Sequence, residues 1–479
     1  MSARVPVLSQ RARHVVSRFT FGTTPRLVDD VRRHGLDGWL DRQLRPDAIA
    51  DDRAAALDDW WPQLWLGPQE LWQRHTSGVQ PSWELMRDYG SWLLTRRIRT
   101  RRQVFEVMVA FWENHLHIAH SSDAFTWRAD YGRTLREHAL GRYDDLLVAA
   151  VTHPAMLIWL DGANSVKTAP NENLGRELLE LFTLGVGRYT EDDVKDAAKV
   201  LTGWRVDKWH TWALSYRSTD HYVGPVQVAD FTHPNADPDG RAVTEALLRH
   251  LARHPATART IARRLATKFV RDDPSEALVS RLAAVYLAND TAIVPVLRAL
   301  LAAPEFAAAA GLKLRDPVED LVATCRALGA DFQQPGAGRA ATEAIVWQTM
   351  DLGQLIGDWP RPDGMPLENR PWATTLRALA STTYHRLVAH GWWPSRDIGA
   401  TYRPDDWWAP RLPIRYDALV DHVSRVILGR PATDALLDAA CLALEVSREE
   451  RIDADHAVVT WRMGDVLTTV LDTPAHYHR

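Results

Sequence analysis

The chain has 479 residues, 46% hydrophobic and 25% charged, the composition of an ordinary globular protein long enough to bury a large core. Its formal net charge of -4 argues against a general nucleic-acid binder, which carries a basic excess. The two cysteines, Cys325 and Cys441, lie in helix-like apolar runs and supply no metal motif.

Residues 8 to 50 predict two or three short helices, one opened by Thr24-Pro25, facing Leu27, Val28 and Val31 inward and stopped by Gly35. Residues 51 to 90, tryptophan-rich and broken by Pro62, Pro68 and Pro81, predict an irregular surface segment. Residues 91 to 120 predict one long helix. Arg96, Arg97, Arg99, Arg101 and Arg102 form a basic run on it that reads as a solvated face. Val104, Met108, Phe111 and His115 then share one face. Asn114 and His115 enter the core together, which is costly without partners and points to a polar pocket. Glu113, His117 and His120 are ligand types at i, i+4 and i+7. They read as a partly exposed polar face, and no metal site is assigned. Residues 123 to 160 predict two more helices, the second ending near His153-Pro154.

The stretch from Asn164 to Trp204 is the most elaborate. Asn171 sits where an N-cap belongs, and Leu174, Leu178, Leu181 and Leu184 form a stripe that ends at Gly185. Glu172, Arg176 and Glu180 share one face, with Glu177 on a flank. Thr190 with Asp193 predicts a capping box for the next helix. Residues 205 to 235 alternate like a short β-hairpin or ordered loop and carry His221. Beyond Arg241 the pattern is helical again, interrupted by the proline-rich loop at 358 to 372. The fold class is therefore mainly α, a compact multi-helix domain with a small β-hairpin-like insertion near 205 to 235. It is organised as a single domain over 1 to 479 or as two tightly joined halves, 1 to 240 with the polar site and 241 to 479.

The runs PNENLGRELLELFTLGVGRYTEDDVKDAAKVLTGW, SRFTFGTTPRLVDDVRRHGLDGWLDRQL, VFEVMVAFWENHLHI, HPAMLIWLDGANS and HPATARTIARRLATKFV closely resemble the bacterial domain of unknown function 1800 family. Asn114, His115 and His221 match its motifs, and His476-Tyr477 departs from its usual ending. The resemblance implies a sulfatase-like protein as a possible partner, and export for many members. The first 16 residues here lack the apolar core of a signal peptide, and no stretch reaches the roughly 18 apolar residues of a membrane helix, so the expectation is a cytoplasmic chain with no membrane contact.

These residues carry three readings of function. The first is a hydrolase or lyase acting on a carbohydrate-like polar substrate. His115, Glu172, Glu177, Glu180 and His221 would do the acid-base work, and Asn114, Asn171, Asn173, Arg176 and Trp204 would bind substrate. The 21 tryptophans would either pack the core or offer flat faces to a sugar. The second is an iron- or copper-dependent oxidoreductase built on His115, His221 and a glutamate. The third is a non-catalytic partner of the sulfatase-like protein. No cofactor is assigned. The site assignment expects His115 within hydrogen-bond reach, directly or through one water, of Asn171, Glu172 or Glu177, with His221 and Trp204 bordering the same cavity.

Overall fold

A computed structural model describes residues 5–409 and 411–479. It is 59% helical. Among the described residues it has 25 α-helices and four two-stranded antiparallel β-pairs. The mainly α reading holds. Buried hydrophobic side chains from Leu8 to Leu471 form one contiguous cluster that runs through both halves of the chain. Among the described residues no helix is long and apolar enough to cross a membrane.

Local chemistry sets many element boundaries. Thr24 accepts the Leu27 amide and Pro25 occupies the first turn, so the helix Pro25–Gln43 begins as expected, with a kink at Gly35 where φ is 68°. Thr190 and Asp193 form the reciprocal capping box of Glu191–Val200. Residues 205 to 235 hold two short hairpins. Trp204–Val206 pairs with Leu214–Tyr216, and Val226–Val228 pairs with Phe231–His233.

Three expectations are corrected. The long helix over 91 to 120 is two helices, Ser82–Arg99 and Gln103–His115. The break is made from a distance: Asp51 accepts the Thr100 hydroxyl at 2.5 Å and the Arg101 amide at 2.8 Å. Residues 51 to 90 are ordered rather than irregular. Helix Pro68–Thr76 and several 3-10 turns bury Trp61, Leu64 and Leu71, each proline opening a helical turn instead of ending one. Residues 123 to 160 form three helices, because the His153 side chain accepts the Ala155 amide and caps a new one, Pro154–Trp159.

The basic run is not a solvated face either. Arg97 pairs with Glu113, Arg96 with Glu106 and Arg99 with Asp331, at 3.2, 3.6 and 2.7 Å, and Arg96, Arg97 and Arg99 are largely buried. Most of the tryptophans pack. Trp39, Trp112, Trp212 and Trp408 are fully buried.

Candidate functional site

The helix Gln103–His115 stops because Leu116 takes a non-helical conformation. His117 and His120 therefore lie in the following loop and not on a helical face. Glu113, in the last turn, is only 7% exposed. This corrects the partly exposed face expected for the three residues. Together they line a cavity of about 80 Å³, roofed by the proline-rich loop through Trp359, Met365 and Trp372. That volume is well above the roughly 10–15 Å³ needed to admit one water.

The walls are polar and positioned. Glu113 accepts the Tyr89 hydroxyl at 3.0 Å and Arg97 Nη2 at 3.2 Å, and pairs with Arg128 Nη2 at 3.5 Å. Gly132 makes this possible, since a side chain there would overlap the Tyr89 hydroxyl. His117 Nε2 donates to the Trp359 carbonyl at 2.8 Å. The His120 amide donates to the Gly357 carbonyl at 2.9 Å, while His120 Nε2 is buried with no partner. Both amide atoms of Gln354 and the Nε of Arg97 are likewise buried and unpartnered among the described residues. Burial holds His117 and His120 below the ordinary imidazole pKa, and the nearby Arg128 charge adds to this, so both rings are neutral.

Asn114 anchors the roof. Its Nδ2 donates to the Met365 carbonyl at 3.0 Å and its Oδ1 accepts the Met365 amide at 2.6 Å. Gly364, at φ 70°, allows the close approach, because any side chain would strike the Asn114 carbonyl. The amide read as a substrate ligand is thus committed to the protein's own loop.

His115 is sealed in the core at 1% exposure. The Tyr143 hydroxyl donates to the Phe182 carbonyl at 2.5 Å, so it accepts His115 Nε2–H, at 3.0 Å. Nδ1 is left buried and unpartnered, and burial, followed by the Arg264 charge, holds the ring well below its ordinary pKa. The helix Glu172–Glu177 continues as a π turn, Leu178–Phe182, which turns Phe182 inward against His115. The glutamates stay outside. Glu172 and Arg176 are 3.6 Å apart, and Arg176 makes a two-pronged pair with Glu191 at 2.7 and 2.8 Å. Glu180 accepts the Tyr189 hydroxyl. Asn171 caps the helix on the Asn173 amide at 2.8 Å, and the Asn173 side chain is exposed. Glu177 is half-buried, its pKa raised first by burial and then by Glu180 and Asp363.

His221 occupies a separate nest. It lies 3.1 Å from the Thr202 carbonyl and 3.0 Å from Asn235 Oδ1. Trp204 stacks edge-on against Tyr216. The expected convergence is therefore corrected: His115 bonds Tyr143 rather than Asn171, Glu172 or Glu177, and His115 and His221 share none of these hydrogen-bond partners.

The family model described as "Protein of unknown function (DUF1800)" matches residues 14–477. The chain belongs to the DUF1800 family. No curated protein matches it, and no solved structure does.

This DUF1800 chain has a second buried polar group that the sequence reading passed over. Asp320, His385 and His476 bring three potential metal-ligand atoms within 4.8 Å of one another. Each already has protein partners, His476 Nε2 lying 3.0 Å from the Thr324 hydroxyl. Asp320 takes His385 Nε2 at 3.2 Å, Arg377 at 3.0 Å and the Ser381 hydroxyl at 2.5 Å, and Asp472 takes His385 Nδ1 at 2.7 Å. Burial alone would lower the His385 pKa, but the two carboxylates outweigh it, and the pKa is pushed up to about 9. The imidazolium and Arg377 supply the positive charge that a metal would otherwise bring, so the trio fits an ion-paired network.

Glu113, Arg97 and Arg128 could have been found from sequence by one signal. A carboxylate inside the run FWENH must be buried, and a buried carboxylate needs a cation. The arginine run one helix earlier provides it.

Proposed function

We propose that this DUF1800 chain is an enzyme of the hydrolase or lyase class, acting by acid-base chemistry on a small polar substrate. The reacting end of that substrate enters the cavity bordered by Glu113, His117 and His120. The observation that carries this reading is that His120 Nε2 and both amide atoms of Gln354, two residues lining this one cavity, are buried without partners among the described residues. Burying polar atoms without partners costs about 1–3 kcal/mol each, a cost that a bound ligand removes. A neutral imidazole has a free lone pair with which to accept a proton from a bound substrate. Arg97 Nε offers a donor to negative charge developing on a substrate oxygen. Trp359 and Trp372 in the lining give flat faces for a sugar-like ring, and the cavity volume suits one group rather than an oligomer.

The test is a panel of chromogenic glycosides and polar hydroxy acids assayed with the wild type and with His120→Gln. Turnover of one class is expected, falling about 10²–10⁴-fold in the variant at unchanged Tm. Equal turnover by wild type and His120→Gln would remove His120 from the mechanism.

A further inference from the structure

A second chamber, of about 470 Å³, lies between the N-terminal helix Gln10–Phe19 and the C-terminal turns. Its walls include Arg13, Arg315, Arg430 and Arg479, with His14 and His476. Among the described residues the lining contains no aspartate or glutamate. That runs against the chain as a whole, where 61 acidic side chains outnumber 57 basic ones.

The arginines here crowd one another. Burial and then the Arg430 charge lower the pKa of Arg13. Burial and then the Arg479 charge bring Arg315 down to about 10. Behind the wall, Glu319, Asp320 and Asp316 offset part of the Arg315 charge, and Glu319 is already held by Lys268 at 2.7 Å and Arg479 at 2.8 Å. Arg315, 6% exposed, spends its Nε on the His476 carbonyl at 2.8 Å and leaves Nη1 buried with no partner among the described residues. Like charges gathered in a concave, partly desolvated wall are costly unless a counter-charge fills it. Guanidinium forks match tetrahedral oxyanions with paired N–H groups. The volume falls within the roughly 300–1,000 Å³ of metabolite pockets and is concave, unlike an extended polymer track.

We infer that this chamber is a binding site for a small phosphorylated metabolite carrying at least two negative charges, adjoining the cavity at His120 through Arg479, which lines both. Arg315 and Arg479 form its floor, and Arg13 and Arg430 clamp the outer phosphoryl oxygens.

Calorimetric titration of the full chain with pyrophosphate at fixed ionic strength tests this. Saturable one-to-one binding is expected, weakened at least roughly tenfold in Arg13→Gln/Arg430→Gln and unchanged in Arg448→Gln, a control arginine in the turn after helix Asp434–Leu444, where it pairs with Asp434 and Asp438. Arg430→Gln alone serves if the double variant does not fold. The inference is overturned by an absence of saturable binding, by equal affinity in the clamp variants, or by an equal loss in Arg448→Gln. Citrate binding as tightly as pyrophosphate would overturn the phosphoryl assignment, and an oligonucleotide binding more tightly would overturn the small-ligand assignment.

Discussion

The loop after the Gln103–His115 helix and the helix Glu172–Glu177 carry similar side chains and put them to opposite uses. Arg176 of the latter helix pairs at the surface with Glu172 and with Glu191 of the next helix, where solvent screens the charges. Glu113 in the last turn of Gln103–His115 and His117 and His120 in the loop after it are all under 10% exposed, against Arg97, Arg128 and a roof pinned by Asn114. The density of charged letters in a motif therefore says little about where chemistry is possible. What separates the two regions is whether the polar atoms are desolvated, and that depends on which way a helix turns at its end.

The comparison is most sharply tested at Glu113. Glu113→Ala strands Arg97 and Arg128 in the core and should cost about 3–5 kcal/mol in urea unfolding. A loss below about 1 kcal/mol would mean that the two arginines find water instead, and the desolvation argument would fail.

pH offers the next largest effect. His115, His117 and His120 have folded pKa values lowered by burial, so the folded state binds fewer protons than the unfolded one. Their contribution is complete above the unfolded value of about 6.5 and is lost as pH falls, by up to about 1.4 kcal/mol per unit for each ring. His385 acts in the opposite sense. Its folded pKa is raised to about 9, so its contribution is complete below about 6.5 and drains away as pH climbs to 9. Buried Lys313 and Arg18, both lowered to about 8, act in the opposite sense above pH 8, so the His385 share is read as the difference in urea midpoint between the wild type and His385→Gln, which should shrink as pH rises from 7 to 9. A difference that does not shrink would contradict the His385 assignment.

Asn114→Ala should have a smaller cost, about 1–3 kcal/mol, since it removes two hydrogen bonds to Met365. Hydrogen exchange at the Met365 amide should accelerate while the core of the Gln103–His115 helix stays protected. Faster exchange throughout that helix would show that Asn114 supports the fold rather than the roof.

Arg176→Ala should have the smallest effect, with no shift in the urea midpoint beyond replicate scatter, as expected of exposed pairs. A large shift would put the Glu172–Glu177 helix back among the structurally critical sites.

Much of the fold was legible because it is written in local chemistry. Thr24-Pro25, Asn171 and the Thr190/Asp193 box each start a helix where the residues say they should. The breaks at Thr100 and at Leu116 were not legible. Asp51, half a hundred residues away, makes the first, and the roof loop meets the chain just beyond the second. Missing the second break was enough to set Glu113, His117 and His120 aside, because a helix continued to His120 places them on an outer face. The π turn at Leu178–Phe182 was the matching error. The extra residue rotates Phe182 inward against His115, while Glu172 and Glu177, which precede the turn, keep the outward setting of the regular helix before it.

Gly132 gives the cavity a constraint of a different kind. The space its missing side chain leaves is filled by the Tyr89 hydroxyl on its way to Glu113. The two positions are one shape divided between two helices. Alanine at 132 fits only if the hydroxyl at 89 goes, so the substitutions Gly132→Ala and Tyr89→Phe should be tolerated together more readily than Gly132→Ala alone. Among related sequences the two positions are expected to covary, and a chain carrying the smaller aromatic at 89 would have surrendered a hydrogen bond to Glu113 in exchange for a better helix former at 132.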